Sequence, residues 1–540
     1  MTAIALGLRL GRWGLAGFSL LAFASSLIQA VAFYQLAGHT AEQRAAFAHS
    51  MSQLASQLTF ILPPPAGLDT VGGYVEWRSF GGLAIVFAVW ALVSGSGAAR
   101  GDEERGLVEA VLATGITRFR WLASRVTAFA AACFVAALAG GLGLVAGAAG
   151  GGETIAFGQV LEIALALAAL GLSCYALTVL IAQVASARMA TALSGTVLLI
   201  LFLANTLSRT FTWLASWRWL SPFHYYELNQ PLAPGGALDV RATLTLLAIS
   251  LVAAGAAAAL FAARDLGSPL LRWPARRMPV TYEPSTNPVW RTPVVRSLYE
   301  RRGGLAMWAL GLSAAGAIFV SLTKTIIQPL LSIPTLTHLF GGFAGGQLYT
   351  SFLGYFWLSF AQLLFAGFAI AQVARWSAED GDGRLELILS TPHSRTSVVV
   401  ERAVALAVAA ALVAAVSGVV VAVIAHYESM QVSGERLAEG TLLLVPFALV
   451  FAAAGSVLAA WNPRAAVGLV GGLAFASYLV NELGPLFKWP AWVQDLSAFK
   501  LFGNPLASGI DRSGLSIMIA IVLVGFGASI LLMQRRDVGA

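Results

Sequence analysis

The sequence predicts an all-α polytopic membrane protein of twelve transmembrane helices, built as two parallel six-helix repeats. Three observations carry that prediction. The 540 residues are 58% hydrophobic and only 11% charged, with mean hydropathy +0.78; a soluble chain of this length needs a polar skin that such a composition cannot supply. Apolar runs long enough to cross a bilayer recur along the whole chain. One polar motif occurs twice, opening at Gly106 and at Gly383, 277 residues apart, each time between two apolar runs.

The twelve spans fall near 13–35, 79–99, 122–148, 159–183, 190–206, 241–262, 304–327, 351–374, 401–425, 439–461, 466–483 and 513–533. The first follows Arg9 and Arg12 and contains Ala22-Phe23-Ala24, which also resembles a secretory signal. Its apolar run continues to about Gln35, and an equivalent span opens the second half, so an uncleaved helix is the better reading. With the N-terminus inside, 23 of the 33 Lys and Arg fall on the cytoplasmic side, eight of them between Arg264 and Arg302. That bias predicts cytoplasmic N- and C-termini in a plasma membrane. The net charge of +7 then reads as topology and headgroup contact, and no basic stripe with interleaved aromatics suggests nucleic acid.

Cys133 and Cys174 both sit inside spans as apolar packing groups, so no disulfide framework is expected. The six histidines, at 39, 49, 224, 338, 393 and 426, have no ligand spacing, and no metal site is expected.

The halves correspond beyond the motif. Arg125 matches Arg402 and Glu162 matches Glu439 at the same 277 offset. Ser186-Ala187-Arg188 and Asn462-Pro463-Arg464 precede the fifth and eleventh spans; Arg264-Asp265-Leu266-Gly267 and Arg536-Asp537-Val538-Gly539 close the halves. An even number of spans per half predicts a pseudo-twofold axis along the membrane normal. The domains are therefore 1–263, a cytoplasmic Pro/Arg-rich linker at 264–292, and 293–540. Prolines at 269, 274, 279, 284 and 288 make a compact helical domain in the linker unfavourable. Thr292 as N-cap and Pro293 as first residue then start an amphipathic interfacial helix carrying Val294, Val295 and Leu298 with Arg296, Arg301 and Arg302. Residues 2–12 are expected to do the same before the first span. Of three long outer segments (36–78, 207–240, 484–512), the last two are rich in aromatics such as Trp213, Trp217, Trp219, Phe223, Tyr225 and Tyr226. They read either as an interfacial belt or as short re-entrant helices roofing a central cavity.

The repeated motif predicts a short helix at the inner surface of each half. Leu107, Val108, Val111 and Leu112 share one face with Glu109 off it, and Leu385, Ile388 and Leu389 repeat that face beside Glu386. Asp102, Glu103 and Glu104, like Glu379, Asp380 and Asp382, precede the helix and favour its positive end. Gly115 suits a C-terminal cap, and Pro392 forces Thr391 out of helical geometry. A helix this short is unstable alone. Either it lies on the inner leaflet as a connector, or its apolar face docks in a groove on a cytoplasmic protein; the matched Gly and Glu favour docking.

These residues resemble the membrane subunits of ABC-2-type exporters, whose fold is the type V exporter fold. The resemblance is carried by an acidic stretch, then Gly106…Glu109…Leu112-Ala113-Thr114 and Gly383-Arg384-Leu385-Glu386…Leu389-Ser390-Thr391-Pro392, then a basic residue entering the next span. It is closest to the fused twelve-span branch that exports polyketide antibiotics and drugs in actinobacteria. The motif covers about 30 residues per half and the topology nearly the whole chain. The resemblance implies a coupling helix between spans two and three that contacts a nucleotide-binding subunit, twice over. It would comprise Glu104, Gly106, Leu107, Glu109, Leu112, Thr114 and Arg118, and Asp380, Gly383, Leu385, Glu386, Leu389, Thr391, Pro392 and Arg395. Glu109 and Glu386 would be the contact carboxylates, and Arg118 and Arg395 would fix the helix to headgroups or to the partner. The first copy has Ala113-Thr114-Gly115 where the family has Ser-Thr-Pro, which implies unequal coupling.

A P-loop needs a Gly-Lys pair followed by Ser or Thr. Lys324, Lys488 and Lys500 follow Thr323, Phe487 and Phe499, so ATP and Mg are expected on two partner ATP-binding subunits and no cofactor on this chain. The competing class is an ion-coupled carrier of the twelve-span major facilitator type; Glu162, Glu439 and Lys324, near outer ends of spans, do not supply a midplane carboxylate or amine. A membrane-embedded enzyme is disfavoured, because no Ser/His set, paired carboxylates or metal spacing reaches a common level. The expected cargo is an amphipathic or hydrophobic small molecule, with Phe87, Trp90, Phe202, Phe356 and Trp357 as candidates to line its path, each of them equally readable as packing or lipid-facing.

Overall fold

The computed structural model describes residues 3–57, 63–185, 187–209, 212–268, 270, 292–331, 345–381, 383–391, 393–430, 432–486 and 489–536, and their regular secondary structure is helical. Twelve helices are long and apolar enough to cross a membrane, one at each expected span. The chain divides into two compact units, Met1–Val280 and Thr281–Ala540.

In unit 1, α1 (Ala3–Ala37) is followed by α2 (Ala41–Gln57) in the outer segment. The second span, α3 (Val71–Glu104), carries π turns at Glu76–Phe80 and Gly97–Gly101. Then come the short α4 (Leu107–Leu112), α5 (Arg118–Gly150), α6 (Phe157–Val184), α7 (Ala187–Leu207), α8 (Pro222–Glu227) and α9 (Val240–Ala263). The central helix is α6, flanked by α3, α5, α7 and α9. It can sit there because its inward positions are small or aliphatic: Ala164, Ala166, Leu167, Ala168, Leu170 and Gly171 are buried. The longest pairing is α1 on α5. It depends on Gly143, where a Cβ would lie 2.2 Å from the carbonyl oxygen of Phe23; small residues let membrane helices approach this closely.

Unit 2 contains α10 (Pro293–Glu300), α11 (Arg302–Leu331), α12 (Tyr349–Asp380), α13 (Arg384–Leu389), α14 (Arg395–Tyr427), α15 (Gly434–Trp461), α16 (Pro463–Leu486), α17 (Ala498–Phe502) and α18 (Arg512–Arg535). Here α15 is central, against α12, α14, α16 and α18. The bounds of α13, α14 and α15 are those of α4, α5 and α6 shifted by 277. The caps repeat too: Thr117 accepts the Arg120 N–H at 3.3 Å and Ser394 the Ser397 N–H at 3.0 Å.

Three local expectations change. Residues 2–12 do not form a separate interfacial helix, because from Ala3 the chain is already part of α1, with Arg9 and Arg12 riding on its exposed side. The outer segment 36–78 holds a helix, α2, whose near-zero mean hydropathic character gave no span signal. The aromatic segments split by depth. Trp213, Trp217 and Trp219 are exposed, whereas Phe223 and Tyr226 of α8 are buried and the Tyr226 hydroxyl donates to the Phe80 carbonyl at 3.1 Å. Unit 2 tucks in α17 likewise, with Phe499 and Phe502 edge-on to Phe447. The interfacial helix α10 starts as expected at Pro293 after Thr292. Linker residues 269 and 271–291 lie outside the described residues.

Candidate coupling site

Each short helix begins with a glycine in the left-handed region: Gly106 at φ 70°, ψ 5° and Gly383 at φ 70°, ψ 7°. A Cβ at either would meet nothing within 4 Å. The requirement is therefore conformational, since the left-handed region costs an L side chain about 1–2 kcal/mol. This turn lets the chain leave the last turn of span two and start α4 or α13 at once. At the far end of α4, the Gly115 N–H donates to the Leu112 carbonyl at 3.0 Å with φ +87°, as a C-terminal cap should. Pro392 and Asp382 lie outside the described residues.

The acidic residues before the helix do more than face its dipole. Asp102 and Glu103 form the last turn of span two, and their side chains are 1% and 4% exposed. Asp102 pairs with Arg125 of α5 at 2.9 Å and with Arg105 at 2.7 Å. Glu103 pairs with Arg264, just past α9, at 2.7 Å and with Arg100 at 3.2 Å, and accepts the Gly267 N–H at 2.6 Å. Arg100 also donates to the Ala182 and Ala185 carbonyls at the end of α6. One acidic pair thus ties the mount of α4 to spans three, four and six. In unit 2, Glu379 pairs with Arg402 of α14 at 2.7 Å and Asp380 with Arg536, just past α18, at 2.6 Å. Arg301, next to α10, donates to Gln372 at 2.8 Å and stands 4.0 Å from Glu379.

Arg118 and Arg395 turn out to serve the fold. The Arg118 Nη1 donates to the carbonyls of Phe261, Ala262 and Arg264 at 3.1, 3.2 and 2.6 Å. The Arg395 Nη1 donates to those of Met533, Gln534 and Arg536 at 2.9, 3.0 and 2.7 Å. Each caps the open C-terminal carbonyls of its unit's last span, where a cation is favoured. The sequence expectation of headgroups or a partner concerns the same guanidiniums, whose Nη1 atoms lie on these carbonyls within each unit.

The apolar face of each short helix also lies differently from the docking expectation. Val108 and Val111 are buried and Leu107 and Leu112 pack on the unit 1 core, while Leu385 is buried and Leu389 packs on that of unit 2. A two-turn helix has too little backbone stability to keep its apolar side free, so its own bundle claims that side. What faces outward in unit 1 is the polar side, Glu104, Glu109 and Thr114; in unit 2 Glu386 and Thr391 face outward together with Ile388 of the expected apolar face, 36% exposed. Glu109 and Glu386 have no ion pair or hydrogen bond from their side chains among the described residues. Unit 2 additionally exposes Leu387, at 70%, where unit 1 has Ala110.

Of the residues expected along a cargo path, Phe87 and Trp357 are fully buried packing groups. Trp90, 5% exposed, forms one wall of a groove in unit 1. Phe202 lines a small cavity with Trp77, Phe223 and Tyr226, and Phe356 is 41% exposed. Cys133 and Cys174 are free and buried. Among the described residues no cluster of His, Cys, Asp and Glu is arranged to hold a metal ion. Arg100, Arg264 and Arg536 carry no assigned role in the sequence, although Arg264 and Arg536 occupy matching places at the close of each half.

Twelve apolar spans among the described residues, with a short polar helix in each unit, define a multi-pass membrane protein. Residues 1–262 and 291–532 match the family described as multidrug efflux system permease Rv1217c, C-terminal domain. The match covers most of the chain, and the protein belongs to that family of multidrug efflux permeases. Comparison with curated proteins finds no match.

Proposed function

We propose that this chain is the transmembrane subunit of an ATP-driven ABC exporter in a bacterial plasma membrane, with both termini in the cytoplasm. Two copies of a separate ATP-binding subunit dock on α4 and α13, and ATP and Mg bind to those subunits. The observation that carries this reading is the outward-facing Glu109 and Glu386. Each stands three residues after a left-handed glycine, unpaired among the described residues, on a helix mounted by acid–arginine ion pairs, buried in unit 1 and partly exposed in unit 2. Leaflet packing alone would require no such carboxylate. Closure of the ATP-binding subunits displaces α4 and α13, and the acid–arginine ties pass that displacement to spans three and six. The helices of each unit tilt in response, and access switches from inside to outside. The cargo is an amphipathic or hydrophobic small molecule (an antibiotic, drug or lipid-like compound), because the spans offer apolar surface and few unpaired charges.

The test is to isolate the chain from its native membrane in mild detergent and identify what accompanies it. The expected result is a stoichiometric P-loop ATPase that is lost when Glu109→Ala and Glu386→Ala are combined. A chain that comes alone and moves substrate on an ion gradient in liposomes would make it a secondary transporter and overturn the proposal.

A further inference from the structure

We infer that a groove at the α4 end of unit 1 binds an anionic phospholipid, with the acidic headgroup on Arg105 and Arg125 and the upper acyl segment beside Trp90 and Phe129. The groove is a cavity of about 260 Å³ between α1, α3 and α5. Its open space is real: a Cβ at Gly11 of α1 or at Gly97 of α3 would meet nothing within 4 Å. One turn beyond Gly14, Phe18 stacks on Trp90 at 4.5 Å between ring centroids. Trp90 leans on Phe129 at 5.1 Å, and Phe129 stacks on Tyr175 at 4.2 Å, so the inner wall is a continuous aromatic surface.

The charge at the mouth sets the chemistry. The only charged side chains lining the groove are Arg105 and Arg125. They share a single carboxylate, Asp102, which is 1% exposed. Arg105 is 68% exposed, and the Nε of Arg125 is buried with no hydrogen-bond partner among the described residues. Two guanidiniums against one buried carboxylate leave a net positive mouth, and the exposed Arg105 guanidinium, whose Nε is on the Gly101 carbonyl, presents the donors that a phosphate fits through several N–H bonds at once. Arg12 and the 75% exposed Trp13 flank it on α1, the residue types that mark a membrane interface. Basic side chains at that level attract anionic lipid headgroups. The volume is below the roughly 300 Å³ at which small-molecule pockets begin, which favours part of one acyl chain over a whole cargo molecule.

Unit 2 does not repeat the residues that line the groove. At the 277 offset, Trp90, Phe129 and Tyr175 become Gly367, Leu406 and Ala452, and Arg105 becomes Asp382. One lipid per chain is therefore expected. Its phosphate competes with Asp102 for Arg105 and Arg125, so occupancy alters how firmly span two and α4 are tied to α5.

The experiment is native mass spectrometry of the full chain in detergent, offered equal amounts of dioleoyl phosphatidylglycerol and dioleoyl phosphatidylcholine. The wild-type chain is expected to retain one phosphatidylglycerol and no phosphatidylcholine. Arg105→Gln lowers the retained fraction about fivefold, the worth of one interfacial basic residue. Gly11→Leu abolishes retention by filling the groove; Gly97→Leu fills it from the opposite wall and replaces Gly11→Leu if that chain does not fold. Equal retention of the two lipids overturns the assignment, as does phosphatidylglycerol retention unaffected by filling the groove. Displacement of the lipid by dodecanoate at equal concentration would make this a site for free acidic amphiphiles and likewise overturn it. The assay involves no ATPase, so its outcome is independent of the exporter reading.

Discussion

The two units tie their short helices with the same acid–arginine geometry, but they do it at different depths. In unit 1 the Glu103–Arg264 pair is 4% and 1% exposed, and Arg100 and the Gly267 amide complete the carboxylate's bonding. In unit 2 the matching Asp380–Arg536 pair is 11% and 25% exposed, and Glu379 is 28% exposed beside Arg402. The sequence supplies the cause: Arg100 is replaced by Ser377 and Arg105 by Asp382 at the same offset. The first tie is dry and over-bonded, whereas the second is partly wet and has fewer partners. An ion pair is costly to break mainly when removing one member strands the other away from water. The two ties should therefore differ in energy far more than in geometry.

The largest expected effect follows directly. Glu103→Ala leaves Arg264 and Arg100 buried without their carboxylate and should cost about 3–5 kcal/mol. Asp380→Ala leaves the 25% exposed Arg536 able to reach water and should cost about 1 kcal/mol. Denaturant or thermal unfolding of the detergent-purified chain measures both, and equal losses would break the comparison. A smaller effect should be the same in both units, because the turn geometry is the same. Gly106→Ala and Gly383→Ala each force a side chain to φ 70° and should each cost about 1–2 kcal/mol. A large inequality there would mean that the difference between the units lies in the helices and not in their ties. Smaller again are the caps: Thr117→Ala and Ser394→Ala each remove one side-chain acceptor and should cost about 1 kcal/mol.

The sequence exposed some of these features and hid others for physical reasons. All twelve spans were legible because a bilayer demands about 20 apolar residues whatever the fold. Their ends were less so. Arg9 and Arg12 marked an apparent start at residue 13, yet α1 begins at Ala3, since charges at an interface are compatible with continued helix. The short helices, their glycines and their exposed glutamates were legible because the motif is local and repeated. The ties were not. Glu103 meets Arg264 across 161 residues, and nothing in hydropathy pairs an acid at the end of one span with an arginine beyond another. The one available trace was the matching of Arg125 with Arg402 and of Arg264 with Arg536 between halves, which reads as repetition until a carboxylate is placed beside each. Arg118 and Arg395 show the same limit, because the carbonyls they cap carry no sequence signature of their own.

The smallest effect on the isolated chain comes from the residues most directly concerned with a partner. Glu109 and Glu386 are exposed and tied to nothing among the described residues, so Glu109→Ala and Glu386→Ala should leave the unfolding transition of the purified chain in place. Their effect should appear only in retention of the ATP-binding subunits proposed above. Here the units should differ again, but in the opposite sense to the ties. Unit 2 places the 70% exposed Leu387 beside Glu386, so a partner docked there keeps an apolar contact after the carboxylate is gone. Unit 1 has Ala110 in that place and depends more on Glu109. Glu109→Ala should therefore release more of the ATPase than Glu386→Ala, and adding Leu387→Ala to Glu386→Ala should remove the difference. Equal release by the two single variants would show that the carboxylates, and not the flanking apolar side chain, set the strength of each contact.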